Sequence, residues 1–266
     1  MNAVVFSPSD MALAAGLVLL TALASFALAI GLQRQILWAG GRMVAQLLLI
    51  SLVLRHLFAP GNGWLAPGLV VIMVLAASHE VWARQRGVLP VRIGMAISGA
   101  AIGVSTALVA GFAMAALHGG EGGWQARFLI PVTGIVIGAA MNAASVSLHA
   151  FLSGIRRDRA AIEAMLALGR SRFQALFPRI RDAAHAGMIP TLNQMAGAGI
   201  ITLPGVMSGQ LLAGQDPVAA ATTQIVLMML LCVVAALAIG VVLLLGLLQV
   251  TDGRARLRLD RLGAPK

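Results

Sequence analysis

Seven stretches of this 266-residue chain are apolar over enough length to cross a bilayer as helices, and nothing else in it restricts the fold as strongly. A hydrocarbon core about 30 Å thick needs roughly 20 consecutive apolar residues. The runs are Met11–Leu32, Ile36–Leu57, Trp64–Trp82, Val91–Leu117, Phe128–Ser153, Ala183–Ala213 and Pro217–Val250. The expectation is an all-α, polytopic membrane protein with about seven transmembrane helices forming a single domain over residues 1–266. Composition agrees: with 59% hydrophobic and 11% charged residues, the chain cannot clothe a soluble globule of this size in polar surface.

The net charge of +10 falls in short loops between the apolar runs and builds no basic face of the kind nucleic acid selects. Placing successive loops on alternate sides puts seventeen Lys and Arg residues on one side and two, Arg55 and Arg127, on the other. The bias of basic residues toward the cytoplasm then predicts an N-terminus outside an inner membrane. Residues 155–181, with seven arginines, and the tail 251–266 are placed in the cytoplasm. Residues 1–10 carry no Lys or Arg, so the first apolar run is read as a span and not as a cleaved leader. The one cysteine, Cys232, lies inside an apolar run and is read as a small buried hydrophobe.

Two segments depart from the pattern of plain spans. Between Ala186 and Gly214, the sixth run and its edge carry Pro190 and Pro204 with Gly197, Gly199, Gly205, Gly209 and Gly214, which predicts a broken crossing with hinges at Pro190, Pro204, Gly205 and Gly209. Before it, residues 155–180 read as a cytoplasmic amphipathic helix with Ile155, Ile162, Leu166 and Phe173 among charged residues. Gly169 then supplies a turn and Ser171 a helix cap. Glycine pairs at Gly99–Gly103, Gly134–Gly138 and Gly205–Gly209 suit close helix contacts.

Much chemistry is excluded. Lys266 is the only lysine, so no GxxxxGK[ST] phosphate loop and no internal Schiff base can exist. His79-Glu80 begins a zinc-protease HExxH, but position 83 is alanine. Polar groups inside spans become candidates for a transport path because burying them is costly. These are Glu80, the one carboxylate in a predicted span, with Asn142, Asn193, Gln194, Met207 and Gln210. Glu80 also stands four residues before Arg84, the spacing of a helical ion pair. It is the best candidate for touching a metal, whose ligands are otherwise unknown. Gln224 belongs with the amides around the broken run, while the thirteen methionines are scattered as core residues are.

Glu163-Ala164, Gly169, Ser171 and Gln174-Ala175 resemble the EAA loop of ABC-transporter permeases, although the Ile-x-Leu-Pro ending of that loop is absent. Met165–Gly169 (MLALG), Ile189-Pro190 and the string from Thr202 to Pro217 (TLPGVMSGQLLAGQDP) resemble the FetB family of bacterial iron-export ABC permeases, related to plant aluminium-tolerance permeases. Pro131–Gly134 and Met141-Asn142 share in that likeness. The resemblance implies a permease without enzymatic activity or cofactor of its own. A FetA-like ATP-binding subunit, carrying ATP and Mg2+, would dock at Glu163, Ala164, Leu168, Gly169 and Ser171 in an assembly of two permeases and two ATPases. A stand-alone cation/proton antiporter using Glu80 and a membrane scaffold protein are the alternatives. If the orientation is right, an impermeant thiol reagent labels Arg170→Cys, in a Cys232→Ser background, in inverted membrane vesicles but not in intact cells.

Overall fold

The computed structural model describes residues 7–59, 63–117, 126–253 and 256–263. It contains α1 (Pro8–Ala27), α2 (Gln33–Leu57), α3 (Ala66–Ala83), α4 (Val91–Leu117), α5 (Ala126–Arg157), α6 (Arg159–Ala167), α7 (Arg172–Gly197), α8 (Gly205–Leu212) and α9 (Pro217–Val250). Among the described residues, six helices (α1 to α5 and α9) are long and apolar enough to span a membrane. The all-α, multi-pass architecture is therefore as expected, and α4 and α9 have the ends their apolar runs predicted. Arg254 and Lys266, counted in the charge balance, lie outside the described residues.

The remaining run is not one long apolar helix. Its first part belongs to α7, which begins eleven residues before Ala183 and carries Arg172, Arg179, Arg181 and Asp182 in its first half. The helix continues through Pro178 and Pro190, and the break falls at residues 198–204. There Gly199 takes φ +86°, a conformation that side chains with a Cβ rarely adopt. Its amide donates to the Thr202 carbonyl at 2.8 Å, and the Thr202 amide donates to the Gly197 carbonyl at 3.0 Å. The loop thus satisfies part of its own backbone, as a chain interruption between apolar segments must. Pro204, in extended conformation, then opens α8.

The chain divides into two compact units, residues 1–64 and 65–266. The first is a helical hairpin. Ser7 and Asp10 form a reciprocal capping box at the start of α1. Its turn passes through Ala29 (φ +54°) and Gly31 (φ +83°), and the Leu32 amide donates to Ser25 Oγ at 3.0 Å.

In the second unit α5 is the central helix, packed against α3, α4, α7 and α9. Its Leu148, Phe151 and Ile155 are fully buried together with Val81 of α3, Ile102 of α4, Leu176 of α7, and Val242 and Val250 of α9. Small residues set the spacing. A Cβ on Gly99 would lie 3.6 Å from Ser78 Oγ and one on Gly103 3.9 Å from Val74 Cγ1, so the first glycine pair does seat α3 on α4. Gly134 meets Met73, whereas Gly138, Gly205 and Gly209 face open space, so the other two pairs do not serve close contacts as pairs within this chain. Another close crossing was not anticipated. A Cβ on Gly187 of α7 would sit 2.8 Å from Ser147 Cβ, 2.9 Å from Ile239 Cδ1 and 3.0 Å from the Ala143 carbonyl oxygen.

Helix α5, with 32 residues, is about 48 Å long at 1.5 Å per residue, well beyond a hydrocarbon core of about 30 Å. One end of it must leave the apolar layer, and that end leads into α6. The backbone contact at Gly187 yields a test: Gly187→Ala is expected to destabilise the purified protein by about 1–3 kcal/mol, the range for overpacking. Gly138→Ala, on a helix equally central but with room for a methyl group, should be neutral or slightly stabilising. Thermal unfolding of both variants in detergent makes the comparison.

Candidate functional site

The residues predicted to dock a partner lie together on one exposed corner, α6 and the turn into α7. Helix α6 is short, and Ile162, 1% exposed, is its anchor in the core. Ala160, Ala161, Glu163, Ala164 and Ala167 stay exposed. Glu163 accepts from Arg159 Nε at 2.8 Å, one turn away on the same helix. Leu168, at the C-terminus of α6, is 83% exposed, a large apolar side chain beside a charged face.

The turn has the chemistry its sequence suggested. Gly169 takes φ +82°, which reverses the chain direction at little steric cost. Ser171 then caps α7, its Oγ accepting from the Gln174 amide at 3.3 Å while Gln174 Oε1 accepts from the Ser171 amide at 3.1 Å. Such a reciprocal cap satisfies two of the donors a helix start leaves open. Exposed Arg170 and Phe173, with half-buried Arg172 between them, complete the corner.

An ion-pair set fastens this corner to the bundle. Asp158, at the junction of α5 and α6, accepts from Arg179 Nη1 of α7 at 2.5 Å and from Arg157 Nε at 3.3 Å. Arg179 also reaches Asp182 at 3.2 Å, and its methylenes lie over Gly154 of α5. Asp158 and Arg179 are both less than one-third exposed, so their pairing is screened less than that of a fully solvated pair. The pair thus ties the start of α6 and the end of α5 to α7.

The transport candidates are spread over several helices. Glu80 is partly buried on α3, and its carboxylate lies 3.9 Å from Arg84 Nε, the helical pair that the spacing suggested. His79 beside it packs against Trp82 with the rings tilted by 59° and 5.4 Å between centroids. Asn142 lies on the exposed stripe of α5 with Pro131, His149 and Ser153. Asn193 and Gln194 are exposed near the end of α7, and Met207 and Gln210 are half-buried on α8. The broken run thus separates two pairs of these candidates. The Oε1 atoms of Gln210 and of Gln224 are buried without a hydrogen-bond partner. Among the described residues no three His, Cys, Asp or Glu side chains come together as metal ligands.

The C-terminal segment is built into the end of the bundle that carries α6. The Gly263 amide donates to the Val88 carbonyl at 2.9 Å, and Arg156 Nη2 donates to the Gly263 carbonyl at 2.6 Å. Leu262 is buried in the main core. Arg258 lies between Asp260 at 2.8 Å and Asp252 at 3.7 Å. The hydrogen bond and charge of Asp260 hold the Arg258 guanidinium above its ordinary pKa, with a smaller contribution from Asp252. Sequence reading treated this region as a tail, because bonds between backbone groups leave no side-chain pattern.

Comparison with known proteins adds a family. Residues 8–250 match the model of a family described as Uncharacterised protein family (UPF0014). A UPF0014 membrane protein from Synechocystis is 34% identical over 198 residues, 74% of this chain and 76% of its own length. The probable iron export permease protein FetB of Escherichia coli is 28% identical over 85% of both chains. Protein ALUMINUM SENSITIVE 3 of Arabidopsis thaliana is 28% identical over 79% of this chain and 74% of its own. No solved structure matches. With the family model covering all six apolar helices, the chain belongs to the UPF0014 family of multi-pass membrane proteins.

Proposed function

We propose that this chain is the transmembrane subunit of an ABC transporter that exports iron, a related metal ion or a metal-linked solute. The metal is the cargo, and its identity rests on the similarity to the Escherichia coli permease. ATP and Mg2+ act on a separate FetA-like subunit, since the single lysine of this chain leaves it no phosphate loop. Two permeases and two ATP-binding subunits form the working assembly in the inner membrane, with the N-terminus outside and the C-terminus in the cytoplasm. The chain itself is not an enzyme.

The observation that carries this reading is the α6–α7 corner. It presents an exposed apolar knob, Leu168, beside Glu163 on a short helix projecting from the bundle, and it is tied back to α5 and α7 by Asp158 and Arg179. A partner surface with an apolar cleft for Leu168 fits that corner. Movement of the ATP-binding subunits on nucleotide binding would push α6, and the Asp158–Arg179 pair would pass the displacement to α5 and α7. Because α7 leads directly into the break at 198–204, the same displacement reaches Asn193, Gln194, Met207 and Gln210.

Two kinds of substitution separate docking from transmission. Glu163→Lys or Leu168→Asp is expected to weaken co-purification of the ATP-binding subunit at least tenfold while membrane insertion is kept; normal binding by both variants would refute the docking assignment. Arg179→Ala should leave binding largely intact but uncouple ATP hydrolysis from export in proteoliposomes. The charge-reversed double variant Asp158→Arg, Arg179→Asp should recover part of that coupling, about 1 kcal/mol or more in a double-mutant cycle.

A further inference from the structure

At the end of the bundle that carries α6 lies a polar cavity of about 280 Å3, separate from the docking corner. It is lined by the α3–α4 turn and by the last turns of α5, with Arg84, Gln85 and Arg86 from the first and His149, Ser153 and Arg156 from the second. Three arginines contribute to its lining, and Glu80, paired with Arg84 at 3.9 Å, offsets one of them. Arg86 is held over the Trp82 ring at 5.0 Å, and Arg156 is steadied by its bond to the Gly263 carbonyl. Both cations are thus positioned by the fold before any ligand arrives.

The second observation is Gln85. Its side chain is 1% exposed, yet its Nε2 has no hydrogen-bond partner. A buried donor left unsatisfied costs about 1–3 kcal/mol, and a ligand acceptor in the cavity would remove that cost. Three arginines, a hydroxyl and an amide donor around a small volume make a set suited to a group rich in acceptor oxygens and negative charge. Guanidinium forks match phosphate oxygens in pairs. The volume of about 280 Å3 falls just below the range of ligand cavities, roughly 300–1,000 Å3, which suits a phosphate group more than a large ligand enclosed whole.

From this we infer that the cavity among Arg84, Gln85, Arg86 and Arg156 binds a phosphate group. It belongs either to the headgroup of an anionic lipid in the adjoining leaflet or to free phosphate. Basic pockets between helices at a membrane surface recognise lipid headgroups by the same chemistry. Because the α3–α4 turn and the C-terminal segment meet at this cavity through Gly263 and Val88, its occupant would also clamp the end of α9 to that of α3.

The test uses the full-length protein in neutral detergent, titrated in one arm with inorganic phosphate and in the other with phosphatidylglycerol, with phosphatidylcholine as the uncharged control. Saturable binding by calorimetry or native mass spectrometry is expected in at least one arm. Phosphate alone would identify the soluble ion, and phosphatidylglycerol alone the lipid. Arg86→Gln and Gln85→Leu should each weaken binding about tenfold, as loss of one strong hydrogen bond does. Arg86→Lys should retain part of it, and Arg34→Gln, in the other unit, should change nothing. Thermal unfolding of each variant without ligand checks that it is folded. Failure of both arms, equal binding of phosphatidylcholine, or an equal loss with Arg34→Gln would overturn the site, whatever the outcome for ATPase docking.

Discussion

A chain inside hydrocarbon has no water to bond with, so each peptide group must find its partner within the protein. Most of this structure follows from that constraint. It produces the long helices, and it requires the loop between α7 and α8 to bond to itself through Gly197, Gly199 and Thr202. It also removes the contrast between oil and water that drives helices together in soluble proteins, leaving close contact to do so. Gly187 against Ala143, Ser147 and Ile239, and Gly246 against Phe151, are where α7, α5 and α9 come close enough for that contact.

The helices that leave the apolar layer carry the polar features. Helix α5 brings Asp158 out to meet Arg179, and α6 follows as a short arm held by buried Ile162 with half-buried Met165 and Leu166 beside it. A nine-residue arm with a small apolar face has few interactions to resist displacement, while it is tied at its root to two central helices. Compliance at the surface and stiffness at the root are what a lever requires. The arginines around the neighbouring cavity belong to the same end of the bundle but to different turns.

How far the sequence revealed this depends on which force dominates at each place. Val91–Leu117 and Pro217–Val250 were readable to the residue because hydropathy alone decides them. The turn at Gly169 and the cap at Ser171 were readable because both are local chemistry. Pro190 misled: taken alone it breaks a helix, but it is preceded by the packed Gly187, and tertiary contact carries α7 past it. Gln85 gave no periodic signal, since a single buried amide beside two arginines reads as an ordinary loop. The short helix α6 and its exposed corner were marked by charge and by the family resemblance. The cavity was not, because it joins turns some sixty residues apart.

The bond between Gly263 and Val88 links the last part of the chain to a turn made far earlier. During synthesis, α3, α4 and α5 can enter the membrane in order, yet the end of the bundle stays open until residue 263 has left the ribosome. Until that closure, Arg156 lacks the carbonyl that steadies it and the surface that receives Leu262 is bare. A nascent bundle therefore differs from a finished one at the end that bears α6, so a partner pressing on that end could distinguish an incomplete protein from a mature one.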